Sequence, residues 1–239
     1  MIDLSQRVAA RVFAITFFLA LAILMVGFSR FYGPYLVWDN DTQTAANFAS
    51  HAGAIHIYIG GAVVYGVGLV VMLAALYRAL RPVGRGLALF AALCWVMYAC
   101  MWFVFLLGLF SALRTMTGVT YQSAFEPQRL QALAGLQLAS GWDAYYIGLA
   151  FNGLGLVFFS LLFFKSRFIP RALAAFGIAT SLFESICGFA YLVDRSFEKI
   201  VSVNWYEMPT MLFEVILCGW ILVRGLRPRE GQPEGGSAD

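Results

Sequence analysis

The sequence predicts an all-α, polytopic integral membrane protein: six transmembrane helices in an antiparallel bundle. Six mostly apolar stretches of about 15 to 24 residues occupy about half of the 239-residue chain, and about 20 apolar residues in a helix span the ~30 Å core of a bilayer. Hydrophobic residues make up 61% of the chain and charged residues 12%, about half the charged fraction of soluble domains. The segments lack the polar face that a helix of a soluble protein carries.

The six predicted spans are joined by short loops on one side of the bundle and by longer loops on the other. They cover Val12–Phe28, Ala54–Leu76, Leu87–Phe110, Tyr145–Phe164, Ala172–Val193 and Pro209–Val223. A basic N-terminus before an apolar run also fits a secretory signal, but the run is long and no A-x-A site follows it, which favours a first span. We therefore predict a single transmembrane domain over residues 1–228, and a disordered cytoplasmic tail over the polar residues 229–239.

Basic residues concentrate on one side of the predicted bundle. Of the 16 Lys and Arg residues, eleven lie at the two chain ends and in the loops after spans two and four, whereas five lie in the other loops. Because positively charged short loops stay in the cytoplasm, both termini are predicted to be cytoplasmic. The net charge of +3 is therefore a topology signal, and we expect no nucleic-acid partner.

Two outer loops carry helix-start signals, so we expect short extra helices there. The segment WDNDTQTAANF offers capping residues for a helix that begins at Thr42 or Thr44. In the next outer loop, Ser123 followed by Glu126 resembles a capping box. That pattern predicts a second short helix ending near Ala139, either on the outer leaflet or over the end of the bundle.

Polar side chains recur near the middle of the predicted spans. Glu184 lies 13 residues after Arg171 and Glu214 lies 10 residues before Arg224, so both are roughly 15 to 20 Å from the basic boundary. Three further polar residues fall at a similar depth: Asn152, Tyr65 and Tyr98. A charged carboxylate at the bilayer centre costs at least ~2.5–3.5 kcal/mol, so we expect both glutamates to face inward and at least one to be neutral or hydrogen-bonded.

This polar layer has two interpretations. It can be functional, as a proton relay, an ion site or the floor of a ligand pocket whose mouth carries His56, Asp39 and Asp41, or it can supply hydrogen bonds that fix the packing of the helices. Two histidines and four cysteines show no metal-ligand spacing. The sequence therefore predicts no metal site and no cofactor.

Four segments of the chain form a distinctive pattern: DNDTQTAANF (39–48), LYRALRPVGRGLALFAAL (76–93), YYIGLAFNGLGLVFFSLLFFKSRFIPRALAAFGI (145–178), and Pro209 to Glu214 with WILVRG (220–225). Together they resemble a bacterial membrane family known as domain of unknown function 4386. The S-x-x-x-P-R turn from Ser166 to Arg171 belongs to this pattern. The resemblance implies a multi-pass protein of the bacterial inner membrane, and it supplies no activity. It also matches the polar positions Asp41, Thr44, Asn47 and Glu214.

Three classes of function follow from these observations. The leading hypothesis is non-enzymatic binding or transport of a small hydrophobic or amphipathic molecule or a lipid, through an outward-opening pocket within the bundle. The second is an accessory or assembly subunit of a larger membrane complex, for which the stripe Phe103, Phe105, Phe158, Phe159 and Phe163 would be the docking face. The third is a membrane-embedded enzyme that uses a carboxylate pair as acid and base.

Overall fold

The computed structural model describes residues 4–226, and this part of the chain contains helices and no strands. Nine α-helices follow one another: α1 Leu4–Gly27, α2 Asp41–Ser50, α3 Ala52–Leu80, α4 Arg85–Thr117, α5 Val119–Ala124, α6 Pro127–Ser166, α7 Arg171–Val193, α8 Phe197–Ile200 and α9 Val203–Arg224. The proposed tail over 229–239 lies outside the described residues.

Six of these helices are long and apolar enough to cross a membrane, which confirms the predicted fold class. They are α3, α4, α6, α7, α9 and α1, whose continuation through a π-helical turn (Phe28–Tyr32) and a 3₁₀ turn (Gly33–Tyr35) gives one segment of 32 residues. Large apolar side chains remain exposed on their outer faces, such as Leu19, Leu107 and Ile186. Such faces are stable against lipid rather than water, so the chain is a multi-pass membrane protein.

The loop between α1 and α3 contains the short helix that the sequence predicts. The side chain of Asn40 accepts a hydrogen bond from the amide of Gln43 at 2.9 Å and so caps α2. Thr44 Oγ1 accepts from the amide of Val37 at 2.9 Å, and Asn47 Nδ2 donates to the carbonyl of Tyr35 at 3.2 Å. The polar family positions Thr44 and Asn47 therefore hold α2 against the end of α1.

The second predicted loop helix is wrong in its bounds. Glu126 is the residue before α6, and Ser123 Oγ donates to the carbonyl of Thr120 instead of forming a capping box. The helix then continues without a break to Ser166, for 40 residues or roughly 60 Å. Its first part extends beyond a ~30 Å bilayer core and packs under α2, where a Cβ on Gly135 would be 3.2 Å from the amide nitrogen of Thr42.

Glycines bring α4, α6 and α7 into direct backbone contact. A Cβ on Gly108 of α4 would be 2.9 Å from Gly141 Cα of α6. A Cβ on Gly153 of α6 would be 2.6 Å from both the Ser181 carbonyl oxygen and the Ser185 amide nitrogen of α7. Only glycine permits these distances, which are typical of small-residue interfaces between membrane helices. The three helices form a tightly packed side of the bundle.

The opposite side consists of α1, α3 and α9, in which α1 packs against both α3 and α9, and both sides contribute buried residues to the main core. The phenylalanine stripe expected as an outward docking face is absent as such. Phe105, Phe159 and Phe163 are all buried in this core and Phe158 is half-buried against it, whereas Phe103 is exposed. The phenylalanines of α4 and α6 thus face different directions and form no common lipid-facing surface. This removes the feature that favoured the accessory-subunit hypothesis.

Candidate functional site

A cavity of about 440 Å³ lies inside the bundle, and we call it the central cavity. Side chains from α1, α3, α4, α6, α7 and α9 line it, so every predicted span contributes. Its volume falls within the usual range for small-molecule sites, and its walls are mostly apolar and aromatic with a few polar groups.

Five of the eight predicted site residues line this cavity. They are Glu184, Glu214, Asn152, Tyr65 and Tyr98. Their common depth in the sequence thus corresponds to a common location in the structure. The geometry shows that these side chains lie together, and their role in ligand binding stays a prediction.

Glu184 on α7 is the most buried carboxyl group of the site, with 1% of its surface exposed. Its Oε1 accepts a hydrogen bond from Asn152 Nδ2 on α6 at 2.9 Å, which confirms the expectation that at least one carboxyl group is hydrogen-bonded. Next to it, Ser185 Oγ donates to the carbonyl of Ala150 at 3.0 Å. Two hydrogen bonds therefore fix α7 against α6 at the level of the cavity.

The Oε2 atom of Glu184 is buried and has no hydrogen-bond partner among the described residues. Thr210 on α9 is close to this carboxyl group. Its hydroxyl can donate to this carboxyl group or to the carbonyl of Tyr206, which is 3.3 Å away, but not to both, because a hydroxyl has one proton to donate. One oxygen of Glu184 is thus available to a molecule in the cavity.

The cavity-facing side of α9 carries a third acidic residue that the sequence analysis missed. Glu207, Thr210 and Glu214 all line the cavity, and their i, i+3, i+7 spacing places them on one helix face. Because span six was predicted to begin at Pro209, Glu207 was assigned to the outer loop. The spacing of seven residues from Glu214 was the signal that could have identified it.

Aromatic hydroxyl groups face these carboxyl groups from α3, α4 and α6. Tyr145 donates a hydrogen bond to Glu207 Oε1, and the hydroxyls of Tyr65 and Tyr98 are 3.3 Å apart. The ring of Trp102 lies 4.7 Å from that of Tyr65 and 6.3 Å from that of Tyr145, centroid to centroid. The carboxyl groups thus stand opposite an aromatic wall.

No lysine, arginine or histidine lines the central cavity within residues 4–226. The two ion pairs found in that range involve other acidic residues. Arg129 pairs with Glu126 at 3.8 Å on the surface, and Arg195 pairs with Asp143 at 3.1 Å at the end of the bundle that carries α2 and α8. The three glutamates of the cavity therefore have no cationic side chain as partner.

His56, Asp39 and Asp41 do not line the cavity, so the predicted composition of its mouth needs correction. His56 is exposed and its Nδ1 is 2.8 Å from the carbonyl of Ala52 in its own helix. Asp39 is exposed in the loop with φ 61°, and Asp41 lies in the first turn of α2. Burial raises the pKa of Asp41 above its ordinary value of 3.8, so this carboxyl group is partly withdrawn from water without reaching the cavity.

The mouth is apolar and aromatic instead. Trp38 and Trp142 lie 6.4 Å apart, centroid to centroid, and both line the cavity near α2. Met25 of α1 and Met208 of α9 also line it, yet 45% and 55% of their surfaces are exposed. The cavity therefore reaches the outer surface of the bundle between α1 and α9 as well as near α2.

The described residues contain no group of three or more His, Cys, Asp or Glu side chains arranged to hold a metal ion. The four cysteines are free thiols, three buried and one exposed.

Comparison with known families matches the chain to the family described as Domain of unknown function (DUF4386) over residues 12–225. Searches of curated proteins and of solved structures find no match. The matched range includes five of the six spans in full, the first span from residue 12 onward, and every residue that lines the central cavity. This chain is thus a member of the DUF4386 family of membrane proteins.

Proposed function

We propose that the protein binds a small apolar or amphipathic molecule in its central cavity and acts as a binding protein or carrier rather than an enzyme. One observation carries this proposal: the cavity of about 440 Å³ inside the bundle has aromatic walls and a few convergent polar groups. Sites of this size and composition are typical of small-molecule binding.

The location of the cavity suits a molecule that partitions into lipid. Exposed methionines on α1 and α9 border its lateral opening, and methionine side chains adapt to irregular apolar ligands. A ligand can thus move between the cavity and the surrounding bilayer without crossing water. Membrane lipids are the partners that this opening contacts.

We place the protein in the bacterial inner membrane with both termini in the cytoplasm. Nine basic residues of the described chain support this orientation, since they lie at the end of the bundle that carries the two short loops: Arg7, Arg11, Arg78, Arg81, Arg85, Lys165, Arg167, Arg171 and Arg224. In this orientation the aromatic mouth near α2 faces outward.

Thermal unfolding of the purified protein tests the proposal in nanodiscs of phosphatidylethanolamine and phosphatidylglycerol. Three probes of similar size differ in charge: phenyltrimethylammonium, tert-butylbenzene and benzoate. A bound probe at about 100 times its Kd stabilises the folded state by about 2.7 kcal/mol, which corresponds to a rise in Tm of roughly 5–10 °C for a chain of this size. At least one probe should raise the Tm in a saturable manner.

A pair of tryptophan variants on α1 makes this test specific for the cavity. Leu24→Trp fills space in the cavity lining, whereas Leu19→Trp adds the same side chain to the outer face, where Leu19 is 62% exposed. The rise in Tm should be lost in the first variant and kept in the second. If none of the probes shifts the Tm, or if both variants respond like the wild type, the proposal is rejected.

A further inference from the structure

Building on the function proposed above, we infer that the molecule bound in the central cavity is an organic cation, with an ammonium head group against Glu184 and an apolar body among the aromatic side chains. The head group lies between Glu207 and Glu214, the two other acidic residues of the cavity lining.

The first support is the free oxygen of Glu184. This side chain is 1% exposed and lines the cavity, its Oε1 is used by Asn152, and its Oε2 has no donor within the described part of the chain. A buried acceptor without a donor costs about 1–3 kcal/mol or more. A positively charged group in the cavity supplies the missing partner.

The second support is the spacing of the acidic groups along the axis of α9. Glu184 is close to Thr210 of α9, and Thr210 lies between Glu207 and Glu214 in the same helix. The rise of an α-helix places Glu207 roughly 4.5 Å on one side of that level and Glu214 roughly 6 Å on the other. A cation next to Glu184 therefore interacts favourably with all three carboxyl groups.

The third support is the absence of any competing positive charge. No Lys, Arg or His lines the cavity in the range 4–226, and the ion pairs present there involve Asp143 and Glu126. Electrostatic interactions are strong in such a low-dielectric interior. An anion would find no cationic side chain in the cavity among residues 4–226, whereas a cation would find carboxyl oxygens as acceptors.

The fourth support is the aromatic wall opposite the carboxyl groups. Tyr65, Tyr98, Trp102 and Tyr145 all line the cavity, and Trp102 packs against Tyr65 and Tyr145 at the distances given above. Faces of tyrosine and tryptophan attract ammonium groups, and aromatic cages are a recurrent way to bind quaternary ammonium ligands. The same rings provide apolar contact for the body of the ligand.

An inorganic cation fits less well. The carboxyl groups of Glu207 and Glu214 are separated by two helical turns, about 10.5 Å along α9, and no three acidic side chains of the described residues converge on one ion. Hard divalent ions need about six oxygen ligands at short distance. An ammonium group on an apolar body uses dispersed negative charge and aromatic surface together.

Fluorescence titration in nanodiscs tests the charge preference directly. Four tryptophans line the cavity, Trp38, Trp95, Trp102 and Trp142, so a bound aromatic probe changes their emission. Phenyltrimethylammonium and tert-butylbenzene have nearly the same shape and differ by one positive charge. We expect the cation to bind at least about tenfold more tightly than the neutral probe, and benzoate not to bind.

Two neutralising variants connect this preference with the acidic groups. Glu184→Gln keeps an acceptor for Asn152, and Glu214→Gln loses no hydrogen bond found among the described residues, so the second variant retains the fold even if the first does not. Each should weaken binding of phenyltrimethylammonium at least about tenfold. The matched control, Glu126→Gln, neutralises an exposed carboxylate outside the cavity and should leave the affinity unchanged.

The possible results separate this inference from the proposed function. If tert-butylbenzene or benzoate binds as tightly as the cation, or if neither cavity variant weakens the cation, the charge preference is disproved while the cavity remains a binding site. If no probe binds to the wild type, both ideas fail. Binding of the cation alone, lost in the two cavity variants, supports both.

Discussion

Gly153 determines how closely α6 and α7 can approach, and its replacement by alanine is the sharpest test of the bundle's packing. A Cβ at this position would be 2.6 Å from two backbone atoms of α7, the Ser181 carbonyl oxygen and the Ser185 amide nitrogen. Neither atom can rotate away as a side chain could. The helices must therefore separate, and the adjacent hydrogen bond between Asn152 and Glu184 must lengthen.

The expected loss of stability follows from two opposing effects. Alanine favours a helix over glycine by about 1 kcal/mol, whereas overpacking costs typically about 1–3 kcal/mol and occasionally more. Since both close contacts of Gly153 are with backbone, we take the upper end of that range. The net result is a decrease of about 1–2 kcal/mol in the free energy of unfolding.

Gly60→Ala is the matched control for this experiment. Gly60 lies in α3, and a Cβ there would have no atom within 4 Å. This variant therefore gains helix propensity without a steric cost, and its stability should equal or exceed that of the wild type. Thermal and denaturant unfolding of both variants in the same nanodiscs gives the comparison.

Equal stability of Gly153→Ala and Gly60→Ala would refute the proposed close contact between α6 and α7. In that case the two helices would be farther apart than the structure shows, and the geometry of Glu184 would have to be revised. A selective loss in Gly153→Ala, accompanied by weaker binding of phenyltrimethylammonium, would connect this contact to the cavity.

Three other substitutions test individual hydrogen bonds. Asn152→Leu removes the donor to Glu184 and should lower the free energy of unfolding by about 1–3 kcal/mol, measured by thermal unfolding. Asn40→Ala removes the cap of α2, costs about 1 kcal/mol locally, and should speed amide exchange in α2 alone. Ser196→Ala should raise the pKa of Asp194 in an NMR titration, because hydrogen bonds from Ser196 hold that pKa below its ordinary value of 3.8. With a depressed folded-state pKa, the contribution of Asp194 is complete above pH 3.8 and disappears as the pH falls through the folded-state value.

Each of these predictions has a result that contradicts it. An unchanged Tm for Asn152→Leu would mean that Glu184 finds another donor. Uniform exchange in α2 before and after Asn40→Ala would show that tertiary contacts, rather than the cap, hold that helix. An unaltered titration of Asp194 in Ser196→Ala would assign its lowered pKa to a different cause.

The six spans could be predicted from sequence because length and apolarity alone determine which helices fit a bilayer. The α2 helix could be predicted as well, since a capping asparagine acts within three residues of chain. The length of α6 could not. The sequence predicted one helix ending near Ala139 and a separate span from Tyr145, and apolar runs do not reveal that the two form one helix, which continues beyond the membrane and packs beneath α2.

The sequence could predict how deep in the membrane the residues of the candidate site lie, but not which way their side chains face. Counting residues from the basic boundary placed Glu184 and Asn152 at one level, because the rise per residue of a helix is constant. Counting does not determine which way a side chain faces around the helix axis relative to its neighbours. His56 therefore seemed suited to the mouth, although it faces outward, and Glu207 was assigned to a loop.

Pro209 lies inside α9 and interrupts the backbone hydrogen bonding of that helix. Proline has no amide proton, so the carbonyl of Trp205 lacks its helical donor, and a helix bends most readily where that bond is missing. The segment of α9 before Pro209 carries Glu207 and Met208, which line the cavity beside its lateral opening. Glu214 lies in the segment after Pro209. A bend at this residue therefore sets the distance between the carboxyl groups of Glu207 and Glu214, because they lie on opposite sides of it.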